Sequence, residues 1–352
     1  MDLKELKEEH YKTAKLNIDR IERREVSFQC KPWAKASVYW KRAQYFQSVE
    51  KLREALIENA EDYIGIFASV SKYQDPQIPA PSKRGLMSSD LIIDVDMKAE
   101  GSRLDWMHEV CSATASVLSV LKNTFGISED DMTLEFSGNK GFHITITDQR
   151  YTTMSRDHRS AIIEYIRGDN LSRDVVSYYG GGWGESFKSH LRSIAKISDK
   201  KDRLKILSAM GLPSTTCKKV SALLKDPTVS QVLSEGRYDY IDDKIASSLR
   251  NTHYKAAVEE FSVVDAKVGK NIYAILRIPG TIHASSGLVS TLLEFEDLND
   301  PDVIFDKIKE AGGLDPVEIT LTKPAVEDLD RVHEWPVGTH TVPRWLALHL
   351  LH

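Results

Sequence analysis

The sequence predicts an α/β fold interrupted by a helical insertion, and three observations carry that prediction. Short apolar, β-branched or aromatic runs, LIID at 91–94, TLEF at 133–136 and FHITIT at 142–147, read as strands between helical stretches. From about 188 to 260 the pattern becomes a series of small helices with short loops: DRLKILSAMG, KKVSALLKD and DKIASSLRN. An apolar strand, IYAIL at 272–276, then returns, so the α/β core is discontinuous along the chain.

Taken in order, residues 1–20 are charged and helix-prone, and 49–61 place an apolar face at helical spacing. IGIFASV at 64–70 is strand-like. A Pro-rich loop at 76–83 precedes SSDLIID, and WMHEVCSATASVLSVLKNTFG reads as a long amphipathic helix ending at Gly126. Another helix is expected at 158–169. The glycine-rich stretch SYYGGGWGESF at 177–187 has neither a Lys-Ser/Thr ending nor an apolar strand before it, so it is read as a flexible connection and not as a phosphate loop.

Composition sets bounds without finding the chemistry. The chain has 352 residues, 41% of them apolar, which is enough for a sizeable core and more than one domain. Three cysteines without framework spacing suit a reducing compartment. The charged start does not resemble a signal peptide, and no apolar run approaches the ~20 residues that span a bilayer. An intracellular, soluble protein with no membrane partner is expected. The net charge of −5 gives no broad attraction to nucleic acid, so any DNA contact must come from a local basic cleft. Candidate clusters are Lys31, Lys35, Lys41 and Arg42, and the run from Lys188 through Lys205.

The chemistry sits in three segments. In SDLIIDVDMK, Asp94 and Asp96 are two apart on a strand and therefore share a face. Two carboxylates so close repel unless cations neutralise them, and hard cations such as Mg²⁺ or Mn²⁺ prefer oxygen ligands. A solvated strand edge is the alternative for Asp-x-Asp taken alone. SGNKGFHITI at 137–146 holds a glycine-containing turn between two strands, in which Ser137, Asn139 and Lys140 add donors and a charge ahead of His143. RIPGTIHASSGL at 277–288 repeats this chemistry, with Arg277 ending a strand, a Pro-Gly turn and then His283. Arg277 is suited to bidentate phosphate contact, and His283 to donation to another oxygen.

These blocks, with REVSF at 24–28 and KRAQYF at 41–46, resemble in their order the small catalytic subunit of archaeal and eukaryotic DNA primase, and VGTHTVPRWLALHLL resembles that family's C-terminal helix. The likeness covers nearly the whole chain and is weakest from about 151 to 250. It implies an α/β fold, a mixed-sheet primase catalytic core with an inserted helical subdomain: core at 1–165, insertion at 166–251, core again at 252–352. It also implies a third metal-associated carboxylate twelve positions before Arg277, which is Asp265, completing a catalytic triad with Asp94 and Asp96. Carried over likewise, Ser137, Asn139, Lys140, His143, Arg277 and His283 bind the nucleotide's phosphates, with Arg42 close to the metal cleft. Glu25 either orients Arg42 by a salt bridge or caps a core segment.

The chain departs from the family pattern in three places. Lys140 stands where the family usually has Arg, which keeps the charge and loses the planar fork. Trp40 stands two residues before Arg42, where a Tyr is common. Of the four zinc ligands usual after the Asp-x-Asp strand, only His108 and Cys111 are found, and a structural zinc takes four. Structural zinc is therefore not expected. The resemblance implies a primase making primers from nucleoside triphosphates on single-stranded DNA, as a heterodimer with a primase large subunit. A repair polymerase or primase-polymerase of the same superfamily, and a non-catalytic replication scaffold, are the alternatives.

Overall fold

A computed structural model describes residues 1–31, 39–97, 103–169, 182–183, 192, 194–196, 199–209, 211–235, 237 and 241–352. Lys35, part of the Lys188–Lys205 run and most of the 177–187 stretch lie outside these residues. The chain divides into two compact units. One comprises Met1–Ser116, Ile127–Ile163 and Val263–His352; the other comprises Val117–Gly126 and Glu164–Ser262. The second unit is wider than the sequence bounds of 166–251, because it also takes in the end of a helix from the first half of the chain.

The first unit is built on two four-stranded sheets. One has the order β2-β1-β3-β7, from Val26–Cys30 (β1), Tyr39–Gln44 (β2), Tyr63–Ser69 (β3) and Ile275–Arg277 (β7). The other has the order β8-β5-β6-β4, from Leu91–Asp96 (β4), Met132–Phe136 (β5), Gly141–Ile146 (β6) and Thr291–Leu293 (β8). Pairings between these strands are antiparallel, which narrows the mixed sheet expected from sequence. Residues from beyond the insertion supply one strand to each sheet, so the core closes only when the chain returns.

Alternation determines which faces are buried. In β4, Leu91, Ile93 and Val95 are fully buried, while Asp94 and Asp96 point the other way and are progressively more open. β6 is buried along almost its whole length, as befits a central strand. At its start only glycine fits: a Cβ on Gly141 would lie 1.9 Å from the Val95 carbonyl oxygen, where β6 closes on β4 beside Asp96.

Helix α1 (Leu3–Thr13) opens with an Asp2–Glu5 capping box and ends well before residue 20. Beyond it the Asn17 N–H is taken by the Pro279 carbonyl, and Leu16 is buried, so the backbone is held extended by a remote loop. Helix α2 (Val49–Glu58) is capped by Ser48 and buries Leu52 and Leu56. Helix α3 (Arg103–Asn123) stops three residues short of Gly126, and α4 (Arg156–Arg167) follows β6. The strand expected at 272–276 is shorter and shifted, because a turn from Asn271 to Ala274 occupies its first half.

In the helical unit, α5 (Lys200–Ala209), α6 (Ser214–Leu223), α7 (Pro227–Ser234) and α8 (Asp243–Phe261) gather Leu207, Cys217, Val220, Val229, Ile245 and Leu249 into one apolar cluster. The last of these helices runs 19 residues, longer than the small helix read from DKIASSLRN. After the insertion come a short helix α9 (Ala266–Lys270), then α10 (Pro301–Gly312) and the C-terminal α11 (Arg344–Leu350), which packs against both α10 and α1.

Candidate active site

Strand register assembles the site before any side chain is considered. On the second sheet Asp94 pairs with His143, and His143 pairs with Glu135, so three strands place one row of polar side chains across the same face. His143 Nδ1 lies 2.5 Å from Glu135 Oε1, and its Nε2 lies 3.7 Å from Asp94 Oδ1. All three are largely withdrawn from solvent. Burial alone lowers a histidine pKa, yet the Glu135 carboxylate outweighs it here and holds His143 above its ordinary value. Glu135 was not singled out in the sequence. The signal was there: a lone carboxylate in TLEF, between two residues whose side chains belong to the core.

The carboxylates repel each other as their spacing implies. Asp94 is held above the ordinary carboxylate range by burial first and then by Asp96, Asp265 and Glu135, with His143 opposing. Asp96 is raised by burial and by Asp265, against Lys140 and His143. Asp265 reaches this cluster through the backbone: Val264 bridges Val95, and the Asp265 N–H donates to the Asp94 carbonyl at 2.8 Å. Its carboxylate also caps α9, accepting from the Lys267 N–H at 2.7 Å. The capping role and a place beside the Asp pair therefore coexist.

A cavity of about 260 Å³ opens over this row. Asp94, Asp96, Ser137, Asn139, Lys140, His143, Arg277 and His283 line it, together with Phe67 and Val268. Eight of the sequence candidates thus meet in one place. Asp265 and Arg42 are not among the described residues of its wall. Arg42 shares the first sheet with Arg277 but stands on β2, with β1 and β3 between them. Its guanidinium is engaged by Glu25, Nε to Oε1 at 2.5 Å and Nη2 to Oε2 at 3.2 Å. The salt bridge to Glu25 thus holds Arg42 on the edge strand β2, outside the residues that line the cavity.

Glu25 is the hub of that edge. It also accepts from Arg84, Ser27 and the Ala43 N–H, and these donors keep its carboxyl down at about 2 despite burial. Ala43 adopts a left-handed φ of 55°, at a bulge between β1 and β2. Of the two readings of Glu25, orientation of Arg42 is what the geometry contains.

Arg277 and His283 arrive on one turn. Burial brings the Arg277 pKa down to about 10, still well above neutrality, and its Nη1 donates to the Ile282 carbonyl at 3.1 Å. The guanidinium carbon sits 4.8 Å from the centre of the Phe67 ring, a cation–π contact that fixes the side chain over β3. His283 is pushed down to about 3 by burial and by Arg277 and Arg103, so it is neutral at pH 7. Its Nδ1 accepts from the Ser285 N–H at 3.2 Å, which leaves the ring proton on Nε2 as a donor.

The two histidine-bearing loops are tied together. Ser286 Oγ donates to the Gly138 carbonyl at 2.5 Å, and His349 on α11 holds the Ser286 carbonyl through Nδ1 at 2.6 Å. Arg103 donates to Asn139 through both its carbonyl and its side-chain oxygen and pairs with Asp328. The C-terminal helix thus buttresses the cavity from outside, a role that neither its sequence nor that of Arg103 signals locally.

Among the described residues no three His, Cys, Asp or Glu groups already converge as a closed metal shell, at this cluster or elsewhere. The donor set still fits Mg²⁺ or Mn²⁺. Such hard ions are commonly held by one or two carboxylates and complete their shell with water and substrate phosphate. Asp94 and Asp96 face the cavity as an oxygen pair whose mutual repulsion a cation would relieve. The possible zinc residues behave differently: Cys111 is buried and burial pushes its thiol up to about 12, while His108 is exposed.

The family model for the DNA primase small subunit matches residues 93–295. The chain is 26% identical to the DNA primase small subunit PriS of Methanococcoides burtonii, over 99% of this chain and 96% of the relative. It is 25% identical to the protein of that name from Methanosarcina mazei, over 99% and 94%, and 23% identical to that from Haloarcula marismortui, over 83% of each. More than half of this sequence lies inside the family model, from within the Asp-x-Asp strand to the strand that follows His283, and on that ground the chain belongs to the DNA primase small subunit family.

Proposed function

We propose that this chain is the catalytic subunit of a DNA primase, joining nucleoside triphosphates into short primers along single-stranded DNA. The observation that carries the reading is the convergence of Asp94, Asp96, Lys140, His143, Arg277 and His283 on one cavity from three separate segments of the chain. A lining that combines carboxylates with cationic side chains suits a metal-bound triphosphate. The scaffold alternative would require no such convergence.

Asp94 and Asp96, with Asp265 adjoining, would hold the divalent ions. Held there, such ions would supply Lewis acidity to the primer hydroxyl and to the leaving pyrophosphate. The chain's own side chains position the triphosphate. Arg277 offers the guanidinium nitrogens not spent on Ile282, His283 offers Nε2–H, and Lys140, an exposed residue of the lining, offers its ammonium. Ser137 and Asn139 border the turn that presents Lys140. Glu135 fixes the ring of His143 so that its Nε2 faces Asp94 and the cavity. Much of the catalysis then comes from orientation and fixed charge. No helix among the described residues is long and apolar enough to cross a membrane.

The primase large subunit is the expected partner. The assay is primer synthesis on a single-stranded template with Mg²⁺ or Mn²⁺, with and without that subunit. Products are expected in both, longer or more abundant with the partner. A chain that extends pre-formed primers but starts none, even with the partner present, would be a repair-type polymerase; one that does neither would be a scaffold.

Metal content gives an independent check. The purified protein is expected to hold well under one zinc per chain by elemental analysis, because Cys111 is buried as a neutral thiol and Cys30 and Cys217 are buried far from it in sequence. One tightly bound zinc per chain would overturn that expectation.

A further inference from the structure

The cavity does not end at Arg277. Phe67, on its wall, carries the Arg277 guanidinium on one side, and on the other its ring centre lies 5.1 Å from that of Trp40. Trp40 is on β2, the edge strand of the first sheet among the described residues, and is 44% exposed, high for the largest apolar side chain in a strand that pairs with a buried neighbour. The strand that carries Phe67 makes room for its ring. Gly65 lies on β3 opposite Gln29, and a Cβ there would meet Gln29 Oε1 at 2.7 Å and the Phe67 ring at 2.8 Å, so its absence lets that ring lie down along the sheet.

We propose that Trp40 and Phe67 form a stacking platform for the bases of the single-stranded template, leading from the sheet edge to the nucleotide cavity. This deepens the primase reading and rests on it. Two features favour bases over phosphates as the occupant. The neighbouring cation, Arg42, is already engaged by the Glu25 carboxylate, so the platform adds little free positive charge. The chain as a whole carries −5, so strand affinity has to draw on something besides phosphate neutralisation. Exposed aromatic rings supply that, since every base has a π-face and stacking tolerates any sequence. Continuity with the cavity gives the direction: a template threaded over Trp40 delivers its next base beside Phe67, where the incoming nucleotide would be read.

The test compares Trp40→Ala and Trp40→Phe with the wild-type chain. Binding of a fluorescent single-stranded oligonucleotide at low ionic strength is set against an oligonucleotide of the same length with an abasic segment. The wild-type is expected to prefer the natural strand. Trp40→Ala should lose about tenfold in affinity for it and lose most of that preference, with an unchanged salt slope, while Trp40→Phe stays within about twofold of wild-type. The melting temperature should not move, because the indole is half exposed. Equal natural-strand affinity and equal abasic discrimination in wild-type and Trp40→Ala would overturn the platform. So would a raised KM for nucleotide at saturating template with strand binding intact, which would assign the indole to the incoming nucleotide. Primer synthesis by the wild-type, run alongside, separates this from the parent reading: its absence counts against the primase assignment, whereas its presence with strand binding indifferent to Trp40 counts against the platform alone.

Discussion

Replacing Asp94 or Asp96 by Asn is expected to abolish nucleotide incorporation and, in metal-free buffer at neutral pH, to raise the melting temperature. Both effects have one cause. Both carboxyls are held above the ordinary 3.8 by burial first and then by neighbouring carboxylates, Asp96 and Asp265 for Asp94 and Asp265 for Asp96, so the folded chain binds protons more readily there than the unfolded chain does. Stability therefore falls as pH climbs from about 3.8 through the raised folded values, and at pH 7 the whole penalty is present. Asn keeps the shape and removes the charge. The gain should be a few degrees, at roughly 2–4 °C per kcal/mol for a domain of this size, and should vanish on acidification below the ordinary carboxylate range. Added Mn²⁺ should raise the melting temperature of the wild-type chain and leave Asp94→Asn unmoved. Normal incorporation by either variant, or equal Mn²⁺ stabilisation of both, would remove the pair from the metal site.

The part of this site that sequence reveals is the part that local periodicity governs. Asp94 and Asp96 share a face because strand side chains alternate, and the glycine-bearing turns announce themselves by composition. Asp265 is different. It reaches the carboxylates through a backbone pairing with β4 across some 170 positions of chain, and nothing in FSVVDAKV distinguishes it from the helix cap that it also is. Only the family resemblance brings it forward. Glu135 escapes for a related reason: a charge in a strand becomes meaningful once the register puts His143 opposite it, and register depends on the partner strand. Arg42 marks the opposite limit. Its place in a motif suggests the cleft, while its observed partner, a buried Glu25 with four sets of donors, shows itself only once β1 and β2 are paired. The helical unit gives its class away through apolar spacing, but the recruitment of residues 117–126 to it has no local signature.

The two histidines should respond differently to truncation, and the difference separates phosphate grip from packing. His283→Ala removes a neutral cavity-lining ring whose proton is on Nε2. Its loss should raise the KM for nucleotide about tenfold or more, since a hydrogen bond to a charged oxygen is worth roughly 1.5–3 kcal/mol. Mn²⁺ stabilisation should persist. The fold should tolerate the change at pH 7.5 and benefit from it in acid. With a folded pKa of about 3 against an ordinary 6.5, His283 resists a proton that the unfolded chain accepts, so the wild-type loses stability as pH falls below about 6.5. The Ala variant escapes that loss and should melt above wild-type at pH 5, although His10 and His352, both held near 4, keep most of the general acid sensitivity. His143→Ala removes a buried ring and leaves Glu135 without its partner, at a cost of about 1–3 kcal/mol. It should lower both the melting temperature and nucleotide affinity, and Glu135→Gln added to it should recover stability without recovering KM, because the amide is cheaper to leave unpaired than the carboxylate. Recovery of both would mean that His143 serves only to neutralise Glu135. Unchanged KM in His283→Ala at either pH would place the phosphates elsewhere in the cavity, on Arg277 and Lys140 alone.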